Sequence, residues 1–194
     1  GLGYVGLPLA VEKAKAGFLT KTWDGARIES YTLVGSDAAY GLGVIVGTDE
    51  GTVRLPDTDN VLGAGATTSD ATKFAGIILG REKPIAEAYI SGEVERPTIA
   101  TPMGRGEKDF YKEFETVSVL RVGDIGVITE QAVVKGDPVY MRIDSADTIT
   151  SGTAKVLGGF RKDADTAGAV AITGAVFSQS AGAFEPVGIE LRIN

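Results

Sequence analysis

The chain contains neither cysteine nor histidine among its 194 residues. Without cysteine there is no disulfide and no thiolate nucleophile, and without histidine the commonest general base and the commonest metal ligand are missing. Most catalytic triads are excluded for the same reason. We therefore predict that the protein is not an enzyme, and we expect no catalytic, cofactor-binding or metal-binding residues and no cofactor.

Long apolar runs and excess positive charge are also missing. No stretch approaches the roughly 20 apolar residues that a membrane-spanning helix needs, so we expect no membrane partner. The 26 acidic side chains outnumber the 19 basic ones and give a formal net charge of −7. An acidic chain repels phosphate backbones unless it carries a local basic patch. We find no such patch in the sequence, and we expect no nucleic-acid partner.

Alternating apolar residues are the main feature that the chain does have. The turn-forming segment Gly136–Pro138 ends in a proline, which suits the first position of a strand. From Val139 to Ile143 every second side chain is apolar, which predicts one face of a strand in the core. Tyr140 and Arg142 are predicted to lie on the opposite face, in water.

Similar patterns predict further strands along the chain. A hairpin is predicted from the apolar run 42–46, the turn cluster Gly47–Gly51 and the run 52–55. Phe74–Leu79 reads as a short buried strand. Residues 170–177 suggest a pair of strands, and strict alternation from Val187 to Ile193 predicts a final strand. Aromatic residues make up only 7% of the chain and glycine accounts for 27 residues, a composition that favours short strands and tight turns.

These patterns predict a mainly β fold with seven to nine short strands. We expect an antiparallel β-barrel or sandwich body with an extended N-terminal arm and an irregular loop insertion. The predicted boundaries are residues 1–35 for the arm and residues 36–194 for the body. The insertion is placed at about 81–116, because this segment carries three prolines and a charged piece and would bury little apolar area against its ordering entropy.

The first six residues, Gly1–Gly6, match the dinucleotide-binding pattern G-x-G-x-x-G and resemble the start of UDP-sugar dehydrogenases. The surrounding sequence does not fit that family. Gly17–Asp24 makes a poor second strand, alternating strands and helices are missing downstream, and the cysteine nucleophile of those enzymes has no counterpart. A nucleotide-binding fragment of such a dehydrogenase is therefore the minor alternative, and a glycine-rich extended arm is favoured.

Two pairs of carboxylates, Asp57 with Asp59 and Asp163 with Asp165, have a spacing that could hold Ca²⁺ in a loop. The remaining oxygen ligands are not apparent, so solvated loops are the favoured interpretation. Trp23 and Tyr31 lie in a segment without a core of its own. They serve either as anchors on a partner or in the packing of this protein, and the sequence leaves both open.

In the order of its features, the chain resembles the decoration or cement proteins on the capsids of tailed bacteriophages. Each matching piece is short, and the resemblance rests on their order along most of the chain. The pieces are Arg27–Tyr31, Tyr40–Val44, Val53–Pro56, Lys73–Ile77, Val119–Arg121, Gly136–Tyr140, Gly159–Arg161 and Val187–Leu191.

The resemblance implies a virion protein on the outer surface of the capsid, made in the host bacterial cytoplasm. It implies a homotrimer that binds the major capsid protein and bridges neighbouring subunits of the assembled shell, with the arm lying across them. The candidate capsid-contact residues are Tyr4, Leu7, Leu9, Phe18, Trp23, Arg27 and Tyr31. Another phage structural protein, such as a head fibre or a tail or receptor-binding component, is the alternative in the same class.

Overall fold

The computed structural model describes residues 16–20, 25–56, 73–80, 110–143, 156–165 and 168–193. These residues form eleven β-strands, and a membrane-spanning helix is not found among them. The strands are β1 (Arg27–Leu33), β2 (Ala38–Ala39), β3 (Gly43–Val46), β4 (Thr52–Arg54), β5 (Phe74–Ile78), β6 (Phe110–Tyr111), β7 (Thr116–Ile128), β8 (Pro138–Arg142), β9 (Phe160–Arg161), β10 (Ala169–Phe177) and β11 (Pro186–Arg192).

Strand β7 is the longest strand and the one that the two halves of the sheet share. Its 13 residues span about 40 Å at roughly 3.3 Å per residue. Its first half pairs with β1 on one side and β5 on the other, and its second half pairs with β11 from Val122 to Ile128. A strand paired on both edges along its length has few free backbone groups, so β7 holds the other strands in register.

Hydrogen-bonded neighbours close into two rings that share β7. In the first ring β1, β4, β3, β5 and β7 follow one another, and β7 returns to β1. Only the β1–β4 pairing among these is parallel. In the second ring the order is β7, β11, β10, β8 and β9. A bridge between Phe160 of β9 and Thr129, just after β7, closes it. Closure leaves few exposed strand edges, which is how small barrels avoid edge-to-edge association.

Two apolar clusters form the core. The smaller one draws on the first ring, and its largest members are Leu33, Tyr40, Ile78 and Tyr111. The larger one extends from Ile45, Phe74 and Ile77 through the second ring to Phe177, Ile189 and Leu191. The tight approach of β5 to β7 explains a glycine in this buried strand, because a Cβ on Gly76 would lie 2.3 Å from the carbonyl oxygen of Leu120.

The mainly β fold predicted from the sequence is confirmed. Strands β3 and β4 form the predicted hairpin, β5 begins at Phe74 as expected, β8 begins at Pro138, and β11 is the predicted closing strand. In β11 the side chains of Val187, Ile189 and Leu191 are fully buried. The apolar patterns of the sequence, alternating in β8 and β11 and continuous in β5, therefore identified these strands correctly.

Three details differ from the prediction. The described residues contain eleven strands rather than seven to nine, because two-residue strands such as β2, β6 and β9 are too short to show a period. Residues 169–177 form one strand, β10, and not a pair. Its register shifts between Ala171 and Val176, around Gly174 with a φ of 84°, so a bulge rather than a turn interrupts the pattern.

Arg142 is the third difference, since its side chain was predicted in water and is fully buried. Strand β1 also lies within the segment predicted as an arm, yet it pairs with β7 over most of its length. Most of the predicted insertion, residues 81–109, and the part of the predicted arm before Ala16 lie outside the described residues. The division into arm, body and insertion stays a prediction.

Candidate functional site

Two of the predicted contact residues, Arg27 and Tyr31, lie on one face of β1 with Glu29 between them. A spacing of two residues places side chains on the same face of a strand. Arg27 forms an ion pair with Glu29 at 2.5 Å, and the Tyr31 hydroxyl donates a hydrogen bond to the same carboxylate. Arg121 of β7 reaches Glu29 at 3.3 Å. We call Arg27, Glu29, Tyr31 and Arg121 the β1 cluster.

Hydrogen bonds and ion pairs in the β1 cluster shift the pKa values of Glu29 and Tyr31. The hydrogen bond from Tyr31, supported by Arg27 and Arg121, lowers the pKa of Glu29 below 4.5. The same bond to Glu29, together with partial burial, raises the pKa of Tyr31 above 10.0. The Tyr31 side chain also packs against the smaller apolar core, whereas Arg27 is 54% exposed. This face therefore presents charge to solvent from a well-anchored strand.

The third described candidate, Phe18, belongs to a short segment that pairs with β7. The Gly126 N–H donates to the carbonyl of Phe18 at 2.8 Å, and the Thr20 N–H donates to the carbonyl of Asp124 at 3.0 Å. The hydroxyl of Thr20 also hydrogen-bonds the buried carboxylate of Asp124. The Phe18 ring lies close to Gly80, where a Cβ would meet two ring atoms at 2.8 Å. Phe18 is thus fastened to the body.

The other candidates, Tyr4, Leu7, Leu9 and Trp23, lie outside the described residues, as do the G-x-G-x-x-G motif and the Asp57/Asp59 pair. The structure therefore brings Arg27 and Tyr31 together and places Phe18 on β7. Whether these residues contact a capsid stays a prediction.

A second charged cluster was missed by the sequence analysis. The buried Arg142 guanidinium of β8 donates from Nε to Glu130 at 2.6 Å and from Nη2 to Glu130 at 2.8 Å. The same Nη2 reaches Asp165 at 2.7 Å. Arg161 of β9 pairs with Asp165 at 2.6 Å and with Asp163 at 2.6 Å. We call these five residues the Arg142 cluster.

The Arg142 cluster joins the end of β7, β8 and β9. Burial opposes the charged form of Arg142, but the hydrogen bonds and charges of Glu130 and Asp165 outweigh it and raise its pKa. Bidentate arginine–carboxylate geometry of this kind is directional. The cluster therefore fixes the two-residue strand β9 at the closure of the second ring. The sequence does show Arg161, Asp163 and Asp165 close together. The alternation of apolar residues, however, does not indicate that they form ion pairs.

This arrangement also accounts for the Asp163/Asp165 pair considered for Ca²⁺. Both carboxylates bind arginine side chains, and Asp163 also accepts a hydrogen bond from Gln131 at 2.9 Å. Within the described ranges no group of three or more acidic residues is arranged to hold a metal ion. The pair is structural, as part of an ion network.

Several large apolar side chains are exposed among the described residues. The most exposed are Phe114 at 72% and Val134 at 61%, followed by Ile28 of β1 at 47%. Single exposed apolar side chains are normal on soluble proteins. Ile28 is adjacent in sequence to Arg27 and Glu29, and Phe114 lies in the turn before β7.

A pocket of about 40 Å³ lies beside the segment 16–20, lined by Ala16, Tyr40, Glu130, Val156 and Phe184 among others. It is too small for a cofactor, because ligand pockets usually enclose several hundred Å³. Among the described residues, the exposed side chains of Arg27, Ile28 and Phe114 offer surface for protein contact.

Comparison with known proteins agrees with this interpretation. The sequence model of one family, described as structural cement protein (E217 gp24/Pam3 gp6), matches residues 9–192. The chain belongs to this family of phage cement proteins. The family is a structural one and not an enzyme family, so this cement protein is a capsid-associated component of the virion with a capsid-stabilising role.

Solved structures include a neighbour with the same fold. A chain from "The capsid of Myoviridae Phage XM1" superposes on the cement protein with a TM-score of 0.59 at 18% identity, covering 99% of this chain and 98% of that one. At this identity the likeness concerns the fold alone. The curated proteins contain no match. The match to the family model confirms the resemblance to phage cement proteins that the sequence analysis described.

Proposed function

We propose that the protein binds the outer surface of the assembled capsid as a homotrimer and stabilises the shell by bridging neighbouring major capsid subunits. The match of the cement-protein family over residues 9–192 carries this proposal. The absence of cysteine and histidine from the sequence agrees with a role in binding rather than catalysis.

Stabilisation would follow from mass action. A protein that binds the assembled shell, and not its dissociated subunits, stabilises the assembly by its binding free energy. Many copies on a symmetric lattice add their contributions, and a protomer that touches two subunits gains avidity because its second contact is intramolecular. Individual contacts can therefore be weak while the decorated shell is strongly stabilised.

We infer that the capsid contacts involve the N-terminal residues 1–35, including the candidates Tyr4, Leu7, Leu9, Phe18, Trp23, Arg27 and Tyr31. The support is strand β1, where Arg27 and Ile28 are both about half exposed while the strand is paired with β7. A paired strand presents its side chains in a fixed geometry, which lowers the entropic cost of binding.

The test uses purified protein and expanded shells prepared without it. Co-sedimentation should show saturable binding, and decorated shells should release their contents at a higher temperature than bare shells. Light scattering coupled to size-exclusion chromatography should give three times the 20.1 kDa chain mass. Failure to bind bare shells would overturn the proposal, and a monomer at all concentrations would remove the trimer from it.

Copy number separates a cement protein from a tail or receptor-binding component. Densitometry of purified virions should give many copies per particle, whereas a component of one vertex or tip would be present in few. For the dehydrogenase alternative, a calorimetric titration with NAD should give no heat of binding.

Hydrogen exchange tests the role of the N-terminal residues. The amides of residues 1–35 should exchange more slowly in the shell-bound protein than in the free protein. Equal protection in the two forms would remove these residues from the proposed contact while leaving shell binding intact.

A further inference from the structure

One type of turn occurs three times in the described residues, at Lys112–Glu115, Val134–Asp137 and Gly182–Glu185. In each, the first residue's backbone N–H donates to the carboxylate of the fourth residue, at 2.9, 2.9 and 3.0 Å respectively. The third residue is left-handed in each, with φ values of 67°, 92° and 60°. The turns lead directly into β7, β8 and β11.

The contacts of these turns with the neighbouring chain also match. The N–H of the third residue donates to a carbonyl of an adjacent segment: Phe114 to Leu33 at 2.7 Å, Gly136 to Phe177 at 2.8 Å and Phe184 to Thr129 at 2.8 Å. Each of those partners returns a hydrogen bond from its own N–H to the fourth residue's carbonyl. The three turns are therefore equivalent in backbone geometry and anchoring.

The left-handed position holds glycine in one of these turns and phenylalanine in the other two. Gly136 shows that glycine satisfies this geometry, and glycine is the residue that adopts positive φ without steric cost. A phenylalanine there strains the backbone. Phe184 lines the small pocket beside Ala16 and is 36% exposed, so part of its side chain packs in the protein.

Phe114 lacks comparable burial. Its side chain is 72% exposed, the largest value among the large apolar residues described. A positive φ is costly for a bulky residue, and little of the Phe114 side chain is buried to offset that cost. Such positions are characteristic of binding sites, where an aromatic side chain serves as an anchor.

Additional hydrogen bonds hold the Phe114 turn rigid. The N–H of Gly35 donates to Glu113 at 2.9 Å, and the N–H of Glu113 donates to Asp37 at 2.8 Å. These bonds tie the turn to the connection that follows β1. The aromatic ring is therefore presented from a preorganised backbone, which reduces the entropy lost on binding.

The charge around Phe114 indicates the nature of its partner. Glu113, Glu115 and Asp37 lie in or beside the turn, against one basic residue, Lys112. Two copies of such a turn would repel each other, whereas a partner with basic residues would attract it. We propose that Phe114 inserts into an apolar pocket with a basic rim on a major capsid subunit. This inference rests on the proposed function and adds a contact outside residues 1–35.

The decisive variant is Phe114→Gly. Since glycine relieves the left-handed strain, the melting temperature of the free protein should stay the same or rise, while its affinity for bare shells should fall at least tenfold. Phe114→Leu keeps an apolar side chain and should retain most of the affinity. Opposite effects on stability and binding would distinguish an anchor from a structural residue.

Phe184→Gly is the matched control. It changes the equivalent position of a second turn of the same type. This turn lies near the other end of β7, where Pro186 pairs with Ile128. It should change shell affinity by less than about twofold.

Three outcomes would contradict the inference. If wild type binds shells and Phe114→Gly binds equally well, only this inference is wrong. If Phe114→Gly lowers the melting temperature markedly, the residue is structural. If it abolishes self-association of the free protein, the ring contacts a second copy. Failure of wild type to bind shells would instead overturn the proposed function itself.

Discussion

The β1 cluster and the Arg142 cluster both pair arginines with carboxylates, yet they differ in depth. Arg27 is 54% exposed, whereas the Arg142 side chain is fully buried. Exposed ion pairs contribute little because water solvates either partner when the other is removed. In a buried pair, removing one partner leaves an uncompensated charge away from water. The same chemistry therefore serves as a surface feature in one cluster and as a structural requirement in the other.

The two clusters also differ in what they connect. The β1 cluster joins residues two apart on a single strand and adds Arg121 from the paired strand. The Arg142 cluster joins three segments, Glu130 after β7, Arg142 of β8 and Arg161 of β9, where the second ring closes. We therefore expect substitutions in the buried cluster to affect the whole fold and those in the exposed cluster to have local effects.

The largest effect is expected for Arg142→Ala. The variant leaves Glu130 and Asp165 without their buried partner, and breaking such a pair typically costs about 3–5 kcal/mol of unfolding free energy. Urea denaturation followed by circular dichroism measures the change. Arg27→Ala is the control for the exposed cluster and should cost less than about 1 kcal/mol. Similar losses for the two variants would show that burial does not distinguish the clusters.

Glu130→Gln should have an intermediate effect. The amide keeps the shape of the side chain but loses the charge that faces Arg142 and Arg161, so we expect a loss of about 1–3 kcal/mol. Glu190→Gln is the matched control, because Glu190 pairs with Arg192, whose side chain is 71% exposed. Equal midpoints of urea unfolding for the two variants would contradict the prediction.

Acid should weaken the Arg142 cluster through Asp163. Burial raises the pKa of Asp163, but hydrogen bonds from Gln131 and Arg161 outweigh it, so the pKa lies below 3.8. A carboxyl whose folded pKa is lowered contributes stability above its unfolded pKa and loses it as pH falls through the folded value. The stabilisation that the Asp163 carboxylate provides should therefore be complete above pH 3.8. It should be lost as the pH falls from 3.8 through the lower pKa of the folded protein.

The measurement is the unfolding free energy of wild type and Asp163→Asn between neutral and acidic pH. The difference between the two proteins should shrink as pH falls below 3.8. A constant difference across this range would show that Asp163 is not a source of the pH dependence.

The smallest effect is expected for Tyr31→Phe in the β1 cluster. Removing the hydroxyl should raise the pKa of Glu29 toward its ordinary 4.5, with a stability change near the 1 kcal/mol or so typical of one hydrogen bond. Carboxyl resonances followed by NMR through a pH titration report the pKa directly. Tyr140→Phe, on β8, serves as the control and should leave the Glu29 titration unchanged.

Strands with regular alternation could be predicted from the sequence because side-chain direction depends only on local backbone geometry. Pro138 at the start of β8 and the alternating residues of β11 are examples. The bulge in β10 could not be predicted in this way, since an extra residue on one strand shifts the period and imitates a break between two strands.

The candidate site was only partly accessible to sequence reasoning. Arg27 and Tyr31 were chosen from a resemblance, and the structure adds Glu29 and Arg121 as the residues that connect them. The position of Phe114 had no signal in the pattern of the sequence. Its left-handed turn becomes evident only beside the equivalent turn at Gly136.

The mainly β class, the family and the lack of histidine and cysteine side chains all follow from the amino-acid sequence alone. Composition and residue order can be read directly from the chain, and the two-residue period of a strand depends only on local backbone geometry. The burial of Arg142 and the exposure of Phe114 became evident from the folded chain. Burial depends on which distant segments cover a side chain, and for Arg142 these segments carry Glu130 and Asp165.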